Sequence, residues 1–146
     1  MYPISVVLKM KHIKTFYSDQ LETRHGTVIV EGPVTPEQMA SYTLHEDLKS
    51  FRPAHLQHKA LIDIASLEDG RITVIRQENL VVGYVTFLYP DPLERWAEDK
   101  IENMIELGAI EVIPAYRGSG VGKKLLQVSF MGSEMEDYLV ITTEYY

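Results

Sequence analysis

The stretch IPAYRGSGVGKKLL, residues 113–126, decides how this sequence is interpreted. It places glycines at three alternate positions after a proline, and it leads from an apolar run into helix-forming sequence. Glycine lets the backbone approach a ligand closely, and the free N–H groups at the start of a helix point at an anion. The stretch therefore predicts a backbone loop that holds phosphate groups.

Two common phosphate loops do not fit this stretch. The P-loop needs a glycine five positions before its Gly-Lys pair and a serine or threonine after the lysine, but Arg117 and Lys124 stand at those places. The dinucleotide fingerprint needs a third glycine where this chain has Lys123. The sequence therefore predicts neither a P-loop hydrolase nor a Rossmann dehydrogenase.

Composition excludes several other classes of protein. The chain has 146 residues, the length of one domain, and its 14 basic and 21 acidic residues argue against a nucleic-acid-binding protein. It has no cysteine, hence no disulfide, thiolate metal ligand or cysteine nucleophile. The apolar run in MYPISVVLKMKH is too short for a signal peptide or a membrane span. We therefore expect a cytoplasmic protein that does not contact a membrane.

The first part of the chain predicts a strand followed by a helix. HGTVIVEGP is typical of a short strand that ends at Gly32 and Pro33. The segment TPEQMASYTLHEDL, residues 35–48, starts with Thr35 as N-cap, Pro36 at the first helical position and Gln38 three residues after the cap. We interpret this segment as a helix.

A second helix and a hairpin follow. The helix begins near Pro53, and its predicted apolar stripe is Leu56, Ala60, Ile64 and Leu67. Residues 71–90 predict two strands around a turn at residues 77–79. His55 and His58 lie on the helix without further zinc ligands in sequence reach, so we expect surface histidines and no metal site.

The second part of the chain gives a mixed α/β domain. Residues 93–104 read as a short helix or loop, and MIELGAIEVI is a nearly continuous apolar strand. After the glycines a helical stripe is formed by Val121, Leu125 and Val128, and DYLVITTEYY is a closing strand. The predicted order is β-α-α-β-β-(α)-β-α-β, in one α/β domain with a mixed sheet over residues 1–146.

The glycine stretch has the pattern Arg-Gly-x-Gly-x-Gly after a strand and a proline, and before a helix. This pattern resembles the acetyl-CoA binding motif of the GCN5-related N-acetyltransferases. The resemblance implies acetyl-CoA as cosubstrate and no metal. It also implies that the diphosphate is held by the residues Arg117, Gly118, Ser119, Gly120, Val121, Gly122 and Lys123, with Ile110 and Val112 of the preceding strand beside the cofactor.

Longer segments of the sequence indicate a smaller group within this superfamily. EGPV, FRP, GYVTFLYPDPLERW, IELGAIEVIP and ITTEYY are together similar to the acetoin-utilisation protein acetyltransferases of Gram-positive bacteria, from about residue 27 to the last residue. This likeness implies acetylation of a lysine of acetyl-CoA synthetase, which silences that enzyme. A non-catalytic acetyl-CoA-binding or docking module and a small-amine acetyltransferase remain alternatives.

Two carboxylates are candidates for the general base. In histone-acetylating relatives the base is a strand glutamate eleven residues before the first motif position, and counting back from Arg117 gives Glu106. Apolar neighbours disfavour the charged form of a carboxylate, which suits a base that works near neutrality. Glu111 is the rival, and simple alternation puts it on the opposite face of the strand unless a bulge intervenes. Either residue could instead be a structural carboxylate.

The chain stops directly after its last strand. Members of this fold usually add another helix and two strands there, so the resemblance implies a fold short of its C-terminal elements, and an uncovered sheet edge could pair with a second copy. The resemblance implies a tyrosine beyond the last strand as general acid, but the sequence stops before its usual place. Tyr145 and Tyr146 are the nearby candidates and are interpreted as strand-end aromatics, so the general acid is unassigned. We also expect YPDPLERW to be either a substrate-facing loop or a rigid connection with Trp96 in the core, and Tyr84 and Phe87 to be core or cleft-wall residues.

Overall fold

The computed structural model describes residues 14–88, 104–131 and 139–142, and for Met104 and 139–142 it describes the backbone alone. The predicted segment at 93–103, YPDPLERW with Trp96, and the two terminal tyrosines lie outside the described residues. In the described part the strands are β1 Tyr17–Thr23, β2 Gly26–Gly32, β3 Thr43–Leu44, β4 Arg71–Gln77, β5 Leu80–Leu88, β6 Met104–Val112 and β7 Leu139–Thr142. The helices are α1 Pro36–Ser41, α2 Ala54–Ser66 and α3 Val121–Ser129, with a 3₁₀ turn at Pro114–Tyr116.

The strands form one mixed sheet. Its main order within the described residues is β1-β2-β4-β5-β6-β7, antiparallel as far as β6, whereas β7 is parallel to β6. The short β3 adds a parallel pair to the start of β5. The predicted α/β class with a mixed sheet is confirmed, and pairing of a second copy at the sheet edge stays a prediction.

Helices cover both faces of the sheet. Gln57 of α2 reaches Tyr84 of β5, whose neighbour across the sheet is Val74, whereas Ser129 of α3 reaches Thr73. Because successive side chains of a strand point to opposite faces, α2 and α3 lie on opposite sides of the sheet. The core residues of β2, β4 and β5 are accordingly buried on both faces.

Helix α1 starts as predicted and ends early. The hydroxyl of Thr35 accepts from the Gln38 N–H at 3.0 Å, and the Gln38 side chain accepts from the Thr35 N–H at 2.8 Å. The predicted continuation through residue 48 is wrong, because Tyr42 is extended and its hydroxyl donates to the buried Glu31 at 2.9 Å. Burial, together with this hydrogen bond, raises the pKa of Tyr42 to about 12. Thr43 and Leu44 then pair with β5.

Helix α2 begins after Pro53 as predicted, but the predicted stripe is wrong. Leu56 and Leu67 are 47% and 45% exposed, whereas the buried residues of the helix are Gln57, Leu61 and Ala65. The buried face of the helix is displaced by one residue from the predicted face, because Gln57 contacts Tyr84 of the sheet beneath the helix. Apolar spacing alone does not distinguish two adjacent faces that carry similar numbers of apolar residues.

The sequence analysis missed β1. Its residues, YSDQLET, alternate between half-buried and exposed positions and pair with β2 along their whole length. Only Tyr17 and Leu21 carry apolar character, so the alternation is weak. The predicted hairpin, the strand before the glycines and the buried stripe of Val121, Leu125 and Val128 are all confirmed.

The capping box gives a direct test of helix α1. Thr35→Ala removes the hydroxyl that accepts the Gln38 N–H, and we expect it to lower the free energy of unfolding by about 1 kcal/mol. Thr35→Ser keeps a hydroxyl and should lose much less. Urea denaturation measures both, and equal stability of the alanine variant and the wild type would contradict the assignment.

Candidate functional site

The glycine loop leaves the start of α3 open. Gly118 and Gly120 have φ of +80° and +82°, a left-handed conformation that other residues rarely adopt. Gly120 is the N-cap of α3 and provides no side-chain hydrogen bond to the helix. Because the first N–H groups of a helix have no partner within the helix, those of the first turn of α3 are available to an anion, whereas the Ser119 N–H of the loop already donates to the Tyr116 carbonyl at 3.4 Å.

The three glycines are not required by packing. A Cβ atom at Gly118, Gly120 or Gly122 would meet nothing within 4 Å, so each position borders open space. At Gly118 and Gly120 the left-handed backbone conformation explains why glycine is present. Gly122 lies in the helix with neither constraint, and the close approach of a ligand is the remaining physical reason for glycine there.

Contacts on both sides hold the loop in place. Arg117 donates its Nε–H to the Val112 carbonyl at 3.0 Å, which ties the loop to the end of β6. Tyr116, in the 3₁₀ turn, donates its hydroxyl proton to Gln77 at 2.7 Å. Lys124 forms an ion pair with Asp19 at 3.0 Å, so its charge is directed at β1. Lys123 is exposed beside the loop.

The two apolar positions that the resemblance places beside the cofactor lie on the same side of the sheet as α3. Ile110 is opposite Val85, and Val85 is opposite Thr73, the residue that contacts α3. Val112 lies on the same face, two residues further along β6. Ile110 is 41% exposed and Val112 is half-buried, so both offer apolar surface near the loop.

A bulge in β6 brings the two candidate carboxylates onto one face. Thr86 pairs with Ala109 but Phe87 pairs with Leu107, so Gly108 is an extra residue in β6. As a result Glu111 is opposite Tyr84 and Glu106 is opposite Leu88. Tyr84 and Leu88 are four residues apart in β5 and share a face, so both carboxylates lie on the α2 side. Simple alternation, which predicts opposite faces, is wrong here because of the bulge.

Glu111 is buried in a hydrogen-bond network. It is 6% exposed, its Oε2 accepts from the Ser50 N–H at 2.8 Å, and its Oε1 accepts from the Tyr84 hydroxyl at 2.8 Å. Gln57 donates from Nε2 to the Tyr84 oxygen at 2.9 Å. Burial and the Glu111 carboxylate hold the pKa of Tyr84 far above its usual value, so this phenol stays a hydrogen-bond donor. No pattern in the sequence pointed to Gln57 or Ser50.

Glu106 is the more accessible carboxylate. Glu106 is half-buried, whereas Glu111 is buried. The loss of solvent contact that the apolar neighbours predict for Glu106 is therefore greater at Glu111. Because the residues opposite them are four apart in β5, at about 3.3 Å per residue, their Cα atoms are roughly 13 Å apart along the sheet. The two carboxylates therefore do not form a pair.

A cavity of about 210 Å³ lies on the α2 face between these carboxylates. Its walls include Gln57 and Ile64 of α2, Thr86 and Leu88 of β5, and Gly108 and Ala109 at the bulge. Thr86 lies between the two carboxylates along the sheet, and Leu88 is opposite Glu106. A ligand in this cavity would therefore be bound beside the bulge of β6.

The other residues considered in the sequence analysis lie in the core or at the surface of the fold. Tyr84 and Phe87 are core residues, with 0% and 1% exposure. His58 contacts the Met39 carbonyl at 2.8 Å and His55 is exposed. In the described ranges no group of three His, Asp or Glu side chains is placed to hold a metal ion, and no helix there is long and apolar enough to cross a membrane.

The glycines give opposite expectations for stability. Gly120→Ala should lower the free energy of unfolding by about 1–2 kcal/mol, because alanine is strained at a left-handed φ. Gly122→Ala should raise it by about 0.5–1 kcal/mol, because the position is helical and unobstructed. Thermal unfolding compares the two variants, and a loss of stability in Gly122→Ala would show a constraint that the backbone does not reveal.

Comparison with known proteins places this chain in a family. The model of the acetyltransferase (GNAT) family matches residues 40–130. The acetoin utilization proteins AcuA of Bacillus subtilis (strain 168) and of Bacillus licheniformis are each 57% identical to the chain over 137 residues. The match covers 94% of this chain and 65% of each relative, so the chain spans a little less than two thirds of their length.

Solved structures agree. An acetoin utilization protein from Exiguobacterium sibiricum is 52% identical with a TM-score of 0.88, over 92% of this chain and 64% of that one. A ribosomal-protein-alanine N-acetyltransferase from Brucella melitensis shares the fold alone, with 17% identity and a TM-score of 0.54 over 79% of this chain and 78% of that one. The resemblance inferred from the sequence is confirmed, and the chain belongs to the acetyltransferase (GNAT) family.

Proposed function

We propose that this chain is an acetyl-CoA-dependent N-acetyltransferase that acts in the cytoplasm on a lysine of acetyl-CoA synthetase. Family membership and the acetoin utilization relatives support the proposal. The observation that carries it is Gly122, a helical glycine in open space at a helix start that has no side-chain cap. A ligand that approaches the backbone closely accounts for it.

The loop residues would bind the diphosphate of acetyl-CoA. The N–H groups of Gly118 and of residues 120–123 would supply hydrogen bonds, whereas the Ser119 N–H already donates to the Tyr116 carbonyl, and the helix dipole adds about 0.3–1 kcal/mol. Arg117 and Lys123 are exposed next to the loop and add positive charge, whereas Lys124 is engaged with Asp19. Ile110 and Val112 provide apolar surface for the chain that leads to the thioester. Acetyl-CoA supplies the activated acetyl group.

A general base is needed because the substrate lysine is protonated at neutral pH. Its pKa is about 10.4, so removing the proton at pH 7 costs roughly 4.6 kcal/mol. Glu106 is the proposed base, because it shares a face with the cavity and is partly open to solvent. Glu111 is the second candidate, but both of its oxygens already accept hydrogen bonds. We assign it to positioning Tyr84 and the Ser50 backbone.

The test of this function is direct. The chain is incubated with acetyl-CoA and purified acetyl-CoA synthetase, and lysine acetylation is read by mass spectrometry. We expect acetylation by the wild type and a loss of about 10²–10⁴-fold in kcat for Glu106→Gln, the usual contribution of a general base.

The other outcomes are also informative. Cofactor binding without acetylation would favour a docking module, and acetylation of small amines but not of the synthetase would favour the small-amine enzyme. Undiminished activity of Glu106→Gln, with loss in Glu111→Gln, would move the base to Glu111.

Gly122→Ala tests the cofactor site separately from catalysis. The added methyl group would lie where the diphosphate approaches, so we expect affinity for coenzyme A to fall at least about tenfold, or about 1.4 kcal/mol. Gln127→Ala, an exposed change in the same helix, is the matched control and should bind normally. Calorimetry measures both, and unchanged affinity in Gly122→Ala would remove this loop from the cofactor site.

A further inference from the structure

The apolar stripe that the sequence predicts for α2 is present, but it lies outside the core. Leu56 and Leu67 are 47% and 45% exposed. Ala60 and Ile64, which lie between them on the helix, are half-buried. Phe51, in the segment before the helix, is 54% exposed. Single exposed apolar side chains need no explanation, but a group of them on neighbouring elements is typical of a surface that binds another protein.

These apolar residues border the 210 Å³ cavity on the α2 side of the sheet. Phe51, Ala60 and Ile64 are part of the cavity wall. Leu56 lies one helical turn before Ala60 and is therefore next to it on the surface of the helix. The cavity is many times larger than the roughly 10–15 Å³ that one water molecule needs, so it has room for an apolar side chain of a partner.

Positive charge is concentrated beside the apolar residues. The chain has a formal net charge of -7, but residues 48–60 contain Lys49, Arg52, Lys59 and two histidines and no acidic residue. The lysines and the arginine are exposed, and none of them forms an ion pair within the part of the chain that the structure describes. Arg52 directly precedes the N-cap of α2, where the helix dipole disfavours a positive charge. Ion pairs among the described residues therefore do not account for these charges.

The apolar residues and two of the cations form one surface on the side of the proposed base. We call it the α2 surface, and it consists of Phe51, Arg52, Leu56, Lys59, Ala60 and Ile64. It lies on the same side of the sheet as Glu106, because Leu88 of the cavity wall is opposite Glu106 in the sheet. A protein bound to the α2 surface would therefore cover the sheet face that carries Glu106, without its reacting lysine entering the cavity.

We propose that the α2 surface docks an acidic segment of the acceptor protein, with an apolar side chain of that segment in the cavity and its carboxylates paired with Arg52 and Lys59. This inference rests on the proposed acetyltransferase function and adds a contact outside the place of acetyl transfer. A protein segment fits because apolar and cationic side chains lie side by side on this surface. Nucleic acids and anionic membranes are bound by larger groups of cations, and the net charge of -7 opposes their approach.

Lys59→Glu tests the charge pairing. Lys59 is exposed and does not line the cavity, so the change should leave the fold intact. We expect the Kd for purified acetyl-CoA synthetase, measured by calorimetry, to rise at least about tenfold, because an attractive charge becomes a repulsive one. The kcat/KM for Nα-acetyl-lysine amide, which has no docking segment, should stay unchanged. Arg24→Glu, the same charge change in the exposed β1–β2 turn, is the matched control and should bind the synthetase normally.

Leu56→Ser tests the apolar contact in the same binding assay. We expect a loss of affinity of similar size, because the serine removes apolar surface beside the cavity. Phe16→Ser is the matched control, since Phe16 is 44% exposed and lies outside the α2 surface.

Unchanged affinity in either Lys59→Glu or Leu56→Ser, or an equal loss in the controls, would overturn the inference. Binding of the wild type to duplex DNA or phosphatidylserine vesicles but not to the synthetase would also overturn it. Binding to the synthetase that both changes weaken, without acetylation of any acceptor by the wild type, would instead contradict the enzymatic function and leave the docking surface standing.

Discussion

The left-handed turn at Gly120 is the constraint on which the arrangement of the site depends. It starts α3 without a side-chain cap and leaves the first N–H groups of the helix facing open space. The hydrogen bond from Arg117 to the Val112 carbonyl holds this loop at the end of β6. The glycine loop is therefore tied to the strand that carries both carboxylates.

The bulge at Gly108 is the second constraint. One extra residue in β6 changes the face of every side chain before it, so Glu106 is brought onto the face of Glu111 and the cavity. It also makes Gly108 and Ala109 part of the cavity wall. Ile110 and Val112 lie on the other face of the same strand.

What the sequence predicted well was local in origin. The capping box at Thr35, the glycine loop and the stripe of α3 each depend on residues within a few positions of one another, and all are found. What it missed depends on distant partners. The residues of β1 are extended because they pair with β2. Helix α2 buries the face that carries Gln57 because Gln57 hydrogen-bonds to a hydroxyl in β5. The spacing of apolar residues within α2 does not reveal which face of the helix is buried.

The residues of the candidate site can also be divided into those predicted from the local sequence and those that required the structure. The loop residues and Glu106 could be located by spacing and family resemblance, but the shared face of the carboxylates required the strand register. The contacts of Gln57 and Glu111 with Tyr84 required the three-dimensional structure, because the partners in each contact are 27 residues apart along the chain.

The most direct test of the central claim compares coenzyme A, 3′-dephospho-coenzyme A and pantetheine as ligands of the folded chain by calorimetry. The first two carry the diphosphate and pantetheine does not. If the backbone of residues 118–123 holds that group, both coenzymes should bind at least about tenfold more tightly than pantetheine. No measurable affinity for coenzyme A, or equal affinity for all three ligands, would contradict the account.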